Sequence, residues 1–313
     1  MDDINVPKVS ICCMAYNHEP YIRDTLEGFV MQKTDFPYEV IITDDASTDK
    51  TAEIIKEYEI KYPDIIKPIY HKENQHAKGI GNLKNHIFPR VKGKYVAFCE
   101  GDDFWCDELK LQKQYDAMEG DDKASICATN YFIFDQNWRR LIKYNRKNII
   151  IPEDRREAAK IVLLGQCGFH FCTTFIRSEC LFDSLDEWTR DKKNAPMGDI
   201  QLYFHMLKRG TSIYLPDHTA VYRKHGTSVS HYKDKKKHKE FMDRARQSLI
   251  NIANNNDMPE LIPILMEKIS KAGKSLGIYE KIKKAISFPL ARMRYNRLKE
   301  MPFKKKVEYL STL

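Results

Sequence analysis

Residues Tyr95–Gln114 read YVAFCEGDDFWCDELKLQKQ: an apolar run, then Glu100, Gly101 and the adjacent pair Asp102 and Asp103, then two aromatics and a helix-like pattern. An apolar run closed by a polar break predicts a buried strand. Carboxylates clustered at its end repel one another, so their position asks for a compensating group. Either the pair caps the helix that follows, or a cation sits against it. Hard ions such as Mg2+ or Mn2+ take oxygen ligands, commonly one or two carboxylates together with substrate phosphates.

Working outward, the preceding hundred residues alternate strand and helix patterns. KVSICCMAY (8–16), YEVIITDDAS (38–47) and IIKPIYH (65–71) read as strands. Between them, EPYIRDTLEGFVMQ places Ile22, Leu26, Phe29 and Val30 at helical spacing, and STDKTAEIIKEYEIKY reads as a second helix with Ser47 or Thr48 at its N-cap. NLKNHIFPRV is a short helix before the strand that carries the acids. Strands joined by helical crossovers imply an α/β fold with a mostly parallel central sheet flanked by helices, Rossmann-like in plan. Beyond it, ASICATNYFIF and HFCTTFIRS read as strands flanking the helix EDRREAAKIVLLG, followed by the helix DIQLYFHMLKRG and the strand SIYLPDHTAVYRKHG. From about Tyr232 the pattern is helical and basic, with breaks expected near Pro289 and Pro302. The boundaries that follow are 1–230 for the main domain and 231–313 for a helical C-terminal extension.

Composition narrows the classes. The 313-residue chain, 42% apolar and 31% charged, has the balance of a soluble globular protein. No run approaches the roughly 18 apolar residues of a membrane span. MDDINVPKVSICC is acidic before its first apolar segment, unlike a secretory signal, so cytoplasmic residence is expected. The eight cysteines include no Cys-x-x-Cys pair, which fits buried thiols better than a zinc knuckle. The net charge of +8 is concentrated in KDKKKHK (233–239) and in the stretch 281–306. Such basic segments suit anionic partners or are solvated helix faces. No nucleic-acid reader motif accompanies them.

Open parallel sheets bind ligands at the carboxyl ends of their strands. Ala15-Tyr16-Asn17, Asp44-Asp45 and Asp102-Asp103 all fall there. Neither G-x-G-x-x-G nor G-x-x-x-x-G-K-[ST] occurs, so phosphates need another partner, and a divalent cation is the natural one.

The order VSICCMAYN, VIITDDASTDKT, GKYVAFCEGDDFW resembles the family 2 glycosyltransferases, which have the GT-A fold. The resemblance is specific from about Val9 to Lys113, and continues more weakly through MGDIQLYFHMLKRG and AVYRKHGTSVS. It implies an inverting, metal-dependent transfer from a nucleotide-sugar donor, expected to be a UDP-sugar, to a glycan or lipid-linked glycan in surface polysaccharide synthesis. Tyr16, with Ala15 and Asn17, then lines the nucleobase pocket, and Asp45 accepts a hydrogen bond from the base. Lys84 and Asn85 are further donor contacts. Asp102 lies against the ribose or sugar, Asp103 contacts the metal, and His225 supplies an imidazole beside it. Asp199 in MGDIQL is the catalytic base, with Gly198 where the family often has a first acid. Arg223 and Lys224 are expected near the diphosphate, and Trp105 forms a wall against the sugar or packs in the core.

The basic extension carries Phe288, Leu290, Met293, Leu298, Met301 and Phe303 among its cations. It is expected to lie at the inner face of an anionic membrane, to pack on the domain or to form a homodimer contact. Two other readings compete. A sugar nucleotidyltransferase would need a Gly-rich, basic loop after the first strand, which MAYNHEPY lacks. A non-catalytic nucleotide-sugar-binding or assembly protein would have no use for the full set Asp45, Asp102, Asp103 and Asp199.

Overall fold

The computed structural model describes residues 6–145, 151–192, 195, 198–226, 235–267 and 289–313. The expected boundary at 230, Phe288, and the side chain of Leu290 lie outside this description.

The first half follows the alternation. β1 (Val9–Ala15), α1 (Ile22–Val30), β2 (Tyr38–Asp44), α2 (Thr51–Lys61), β3 (Ile66–Tyr70) and β4 (Tyr95–Phe98) build the parallel order β3-β2-β1-β4. Successive residues of β1 point to opposite faces. Ile11 and Cys13 join the apolar layer shared with α1 and α2, whereas Cys12 joins a second layer beneath the later helices. Helix α1 buries Ile22, Leu26 and Phe29 along one stripe. Gly28 lets it come close, since a Cβ there would stand 2.9 Å from Trp105 N and O.

The second half completes the sheet in mixed sense, which corrects the mostly parallel expectation. β5 (Phe104–Trp105) is followed by α3 (Lys110–Glu119), β6 (Ala124–Asp135), β7 (Arg140–Tyr144), α4 (Arg155–Leu163) and β8 (Phe175–Arg177). Then come α5 (Ser178–Asp183), α6 (Leu185–Lys192), α7 (Asp199–Arg209) and β9 (Thr211–Lys224). The order continues β4-β8-β6-β9-β5, with β7 on β6. Only β6–β9 is parallel there; β4–β8, β6–β8, β6–β7 and β5–β9 are antiparallel. The predicted strand HFCTTFIRS is shortened to β8 because its first part turns as a 3-10 helix over Phe171–Thr173. The predicted helix NLKNHIFPRV is a π-turn, Leu83–Ile87, continued by a 3-10 turn that carries Pro89.

Helices α8 (Lys235–Asn255), α9 (Pro289–Lys299) and α10 (Phe303–Ser311) share the domain's core. Ile252, Ala253 and Met258 belong to the layer containing Leu202 and Phe204, while Tyr295, Leu298 and Leu310 pack with Phe104, Phe132 and Val221. Asp191 ties α6 to α7 and to the end of α8: its carboxylate meets His205 Nε2 at 3.0 Å and accepts from Asn255 and Asn256 at 2.8 Å. Of the three placements expected for the basic extension, packing on the domain is the one seen. Leu298 and Phe303 therefore turn inward, whereas Met293 stays 46% exposed. Among the described residues, no helix is long and apolar enough to cross a membrane.

Candidate active site

The strand order reverses between β1 and β4, which places a crevice outside the carboxyl ends of β1, β2 and β4. The loops after β1 and β2 are stitched together across it. Asp45 N donates to Ala15 O at 2.9 Å, Asn17 N donates to Ser47 Oγ at 2.9 Å, and Asn17 Oδ1 accepts from Thr48 N at 2.8 Å. Thr48 is thus spent on Asn17; the N-cap position falls on Lys50, not on the expected Ser47 or Thr48, and makes no side-chain cap bond, and Asp49 Oδ1 accepts from Thr51 N at 3.0 Å instead. Asn17 and Ala46 hold φ of 54° and 59°, a left-handed conformation that costs of order 1 kcal/mol or more for a non-glycine residue and clusters at binding sites. Tyr16, directly before Asn17, is 44% exposed.

Asp45 is buried, and the segment after β3 closes on it. Its Oδ1 accepts from Gln75 N at 2.7 Å, its Oδ2 from His76 N at 3.1 Å, and its carbonyl from Asn74 Nδ2 at 3.1 Å. Each carboxylate oxygen offers about two lone-pair sites, so capacity for one more donor remains. The His86 ring centre lies 4.3 Å from that of His71, whose backbone N–H donates to Asp44 O at 3.0 Å, so the π-turn bearing Lys84 and Asn85 sits beside the end of β2. Asn85 itself is exposed and its amide bonds Gly81 O at 2.9 Å within its own turn.

The acid motif lies at the crevice floor. Gly101 N donates to Met14 O at 2.9 Å, and a Cβ at Gly101 would meet His18 Nδ1 at 2.8 Å, so a larger residue here would have to push His18 aside. The two aspartates then diverge. Asp103 is 1% exposed: its Oδ1 accepts from Arg223 N at 2.8 Å, its carbonyl accepts from Thr25 Oγ1 at 2.5 Å, and its carboxyl also reaches the Cys172 thiol. Burial, then the charges of Asp102 and Glu100, hold that carboxyl well above the usual carboxylate range. Asp102 is partly exposed, and its Oδ2 lies 2.9 Å from His225 Nε2 and 4.0 Å from His18 Nε2. Burial would raise its carboxyl, but the His225 hydrogen bond and the His18 charge bring it below the ordinary value.

Glu100 completes the cluster. Burial, then the charges of Asp102 and Asp199, push its carboxyl up to about 8. Asp199, at the start of α7, accepts from Ile200 N at 3.0 Å. Phe98 at the end of β4 and Leu202 in the first turn of α7 belong to one apolar layer, although about a hundred residues separate them. Ligand atoms of Glu100, Asp102 and Asp103 lie within 4.8 Å of one another, an all-oxygen set that fits a hard divalent cation.

One of the two readings of Trp105 is selected, and one expectation, for Arg223, is corrected. Trp105 is fully buried, donates from Nε1 to Cys172 O at 2.9 Å and packs against Phe29, so it is core and no wall for a sugar. Arg223 is 3% exposed and committed inside: its Nη1 donates to Asp102 O at 2.7 Å, its Nη2 bonds Asp24, and its guanidinium lies 4.5 Å from the Phe104 ring centre. It braces the acid motif and does not face the crevice as a diphosphate ligand. Lys224 follows it, its ammonium 5.6 Å from the Tyr222 ring centre.

Sequence reasoning did not assign roles to Glu100, His18, Tyr21 or Asp24. Glu100 was visible as the acid two residues before Asp102. His18 is signalled only by its place three residues beyond β1. Tyr21 stacks on His225 with ring centres 4.5 Å apart, a contact with no local sequence signal.

The mixed α/β sheet is of the GT-A type. Residues 10–183 match Glycosyl transferase family 2, and the chain belongs to that family. It is 34% identical over 237 residues to an uncharacterized protein of Mycobacterium tuberculosis, covering 73% of this chain and 63% of that one. The chain thus spans less than two thirds of that relative's length. It is 29% identical over 229 residues to TuaG of Bacillus subtilis, whose name is that of a teichuronic acid biosynthesis glycosyltransferase, covering 72% of this chain and 82% of TuaG. The crystal structure of S. aureus TarS residues 1–349 with UDP-GlcNAc superposes with a TM-score of 0.55 at 20% identity, over 80% of this chain and 70% of that one.

Proposed function

We propose that the chain is an inverting, metal-dependent glycosyltransferase that moves a sugar from a UDP-sugar to a glycan or lipid-linked glycan acceptor in surface polysaccharide biosynthesis. The observation that carries this reading is the oxygen-ligand set at the end of β4, Glu100, Asp102 and Asp103 within 4.8 Å of one another, in a chain that belongs to the family 2 glycosyltransferases. TuaG, by its name, acts in teichuronic acid biosynthesis, which supports a surface polymer as product.

Asp45 and the exposed Tyr16 ring receive the base, the carboxylate accepting a uracil N–H on its remaining lone pairs. Asp102 is the better cation ligand of the acidic pair, because it opens on the cleft with His225 and Glu100 beside it, whereas Asp103 supports it from below. This revises the expectation that Asp103 holds the ion and Asp102 the sugar. A bound Mg2+ or Mn2+ would neutralise the diphosphate and stabilise it as leaving group. Asp199 takes the acceptor hydroxyl proton as that oxygen attacks the anomeric carbon from the face opposite the diphosphate. The helix N-terminus beneath it favours its ionised form. Lys84 approaches the donor from the π-turn.

The outer faces of α9 and α10 expose Arg292, Arg297, Lys304 and Lys305. With Leu298 and Phe303 turned inward, contact with an anionic membrane would be largely electrostatic and would weaken with salt. The test of catalysis compares wild type with Asp199→Asn. Both are expected to bind donor, and only wild type to transfer sugar; equal transfer by the two would remove Asp199 as base.

A further inference from the structure

Helix α10 reaches the acid motif through a chain of charges. Lys306 Nζ lies 2.5 Å from Asp24 Oδ2, the same oxygen that bonds Arg223 Nη2. Arg223 in turn holds the Asp102 carbonyl at 2.7 Å, and its backbone N–H holds Asp103 Oδ1 at 2.8 Å. A second contact runs alongside: the Phe303 ring meets the Phe104 ring edge-on at 5.9 Å, and Phe104 follows Asp103 directly.

The placement of Lys306 works against local preference. Lys304, Lys305 and Lys306 fill the first turn of α10, which contains no acid, and cations there oppose the helix dipole. Lys304 and Lys305 escape to solvent, but Lys306 is drawn inward to Asp24. One carboxylate thus serves two cations. Lys306 satisfies part of Asp24, so the Arg223 fork is not drawn wholly toward α1 and keeps its second arm on Asp102. Without Lys306, the fork would be free to close on Asp24, loosening the turn that aims Asp102 into the cleft.

We infer that Lys306 is a positioning residue: through Asp24 and Arg223 it fixes the Glu100–Phe104 turn in its working geometry. It touches no substrate. The inference rests on the proposed glycosyltransferase reading for its effect on turnover, but not for its effect on the turn.

The experiment therefore has two readouts on Lys306→Met, Lys306→Arg and wild type. Amide hydrogen exchange across residues 100–106 and at Arg223 reports the turn directly. In Lys306→Met these amides are expected to exchange several-fold faster, with β2 and β3 unchanged. Turnover with a donor is expected to fall roughly tenfold at little-changed donor KM, since small displacements of reacting groups cost that much or more. Lys306→Arg restores both. Lys305→Met is the control that removes an exposed cation from the same turn without touching Asp24; exchange at 100–106 stays near wild type. Unchanged exchange in Lys306→Met, or equal impairment in Lys306→Met and Lys306→Arg, overturns the inference. A wild type that turns over no nucleotide sugar would defeat the proposed function alone, because the exchange readout still decides the role of Lys306.

Discussion

His225 Nε2 and Asp102 Oδ2 lie 2.9 Å apart across 123 residues of sequence. The end of β9 thereby orients the carboxylate that the acid motif presents to the cleft. Tyr21 backs the imidazole by stacking on it. Partners that orient a metal-binding carboxylate typically carry 10- to 100-fold of metal affinity, so His225→Ala is expected to weaken Mn2+ binding by about that factor. Calorimetric titration of Mn2+ into both proteins checks this, and unchanged affinity would place His225 outside the site.

The acidic pair should separate by readout. Asp102→Ala removes a cleft carboxylate and is expected to abolish Mn2+ binding with little change in melting temperature. Asp103→Ala strips Arg223 N of a buried acceptor, a loss worth about 1–3 kcal/mol of stability. Thermal melts beside the Mn2+ titration decide the matter. The assignment fails if Asp103→Ala loses the ion at full stability while Asp102→Ala retains it.

Gly101→Ala tests the close approach of the motif to β1. The added Cβ would stand 2.8 Å from His18 Nδ1 and 3.1 Å from Ala15 Cβ. Relieving such overpacking typically costs 1–3 kcal/mol and shifts backbone. Lower thermal stability together with reduced turnover is expected. Wild-type values for both would show that the loop yields easily.

Lys110 offers a pH test away from the cleft. It is fully buried against Trp105, with Gln114 Oε1 accepting from its ammonium, and burial pulls its pKa down to about 8. The unfolded chain binds this proton up to about pH 10.4, so between about 8 and 10.4 it holds more protons than the fold, and stability rises with pH. Below about 8 both states are charged and the full penalty, at most about 3 kcal/mol at 1.36 kcal/mol per unit, is present. Lys110→Met is therefore expected to melt higher than wild type at pH 7, and to lose that advantage by about pH 10. Gln114 keeps its amide bonds to Cys127 O and Thr173 O. Parallel melting curves across this range check the sign, and a Met variant less stable at pH 7 would contradict it.

Much of the first half was legible because its physics is local. Mainly apolar runs at β1, β2 and β4, with even their Ser10, Glu39 and Thr43 buried, leave no solvent face, and the polar residues that stop them sit where a parallel sheet opens. Asp45 and Asp102 stood out as strand-end acids for that reason, whereas Asp199, at the start of α7, was singled out only by the family resemblance. The mixed sheet was not legible. β5 is two residues long, Phe104–Trp105, and owes its strand geometry to pairing with Ala220 and Val221. Trp105 could not be assigned from sequence because an aromatic after an acid pair packs equally well on a sugar or in a core. Arg223 looked like a diphosphate ligand until Asp24 and the Asp102 carbonyl took its donors. Which of two adjacent aspartates faces the cleft depends on the turn at Gly101, a tertiary fact set by His18 and β1.

Nucleotide release from a panel of nucleotide sugars, with Mn2+ or Mg2+ and then with EDTA, tests the central claim most directly. The account predicts release from a UDP-sugar that requires the divalent ion, stops with EDTA and is lost in Asp102→Ala. Release at an equal rate in EDTA, or from no nucleotide sugar at all, would contradict it.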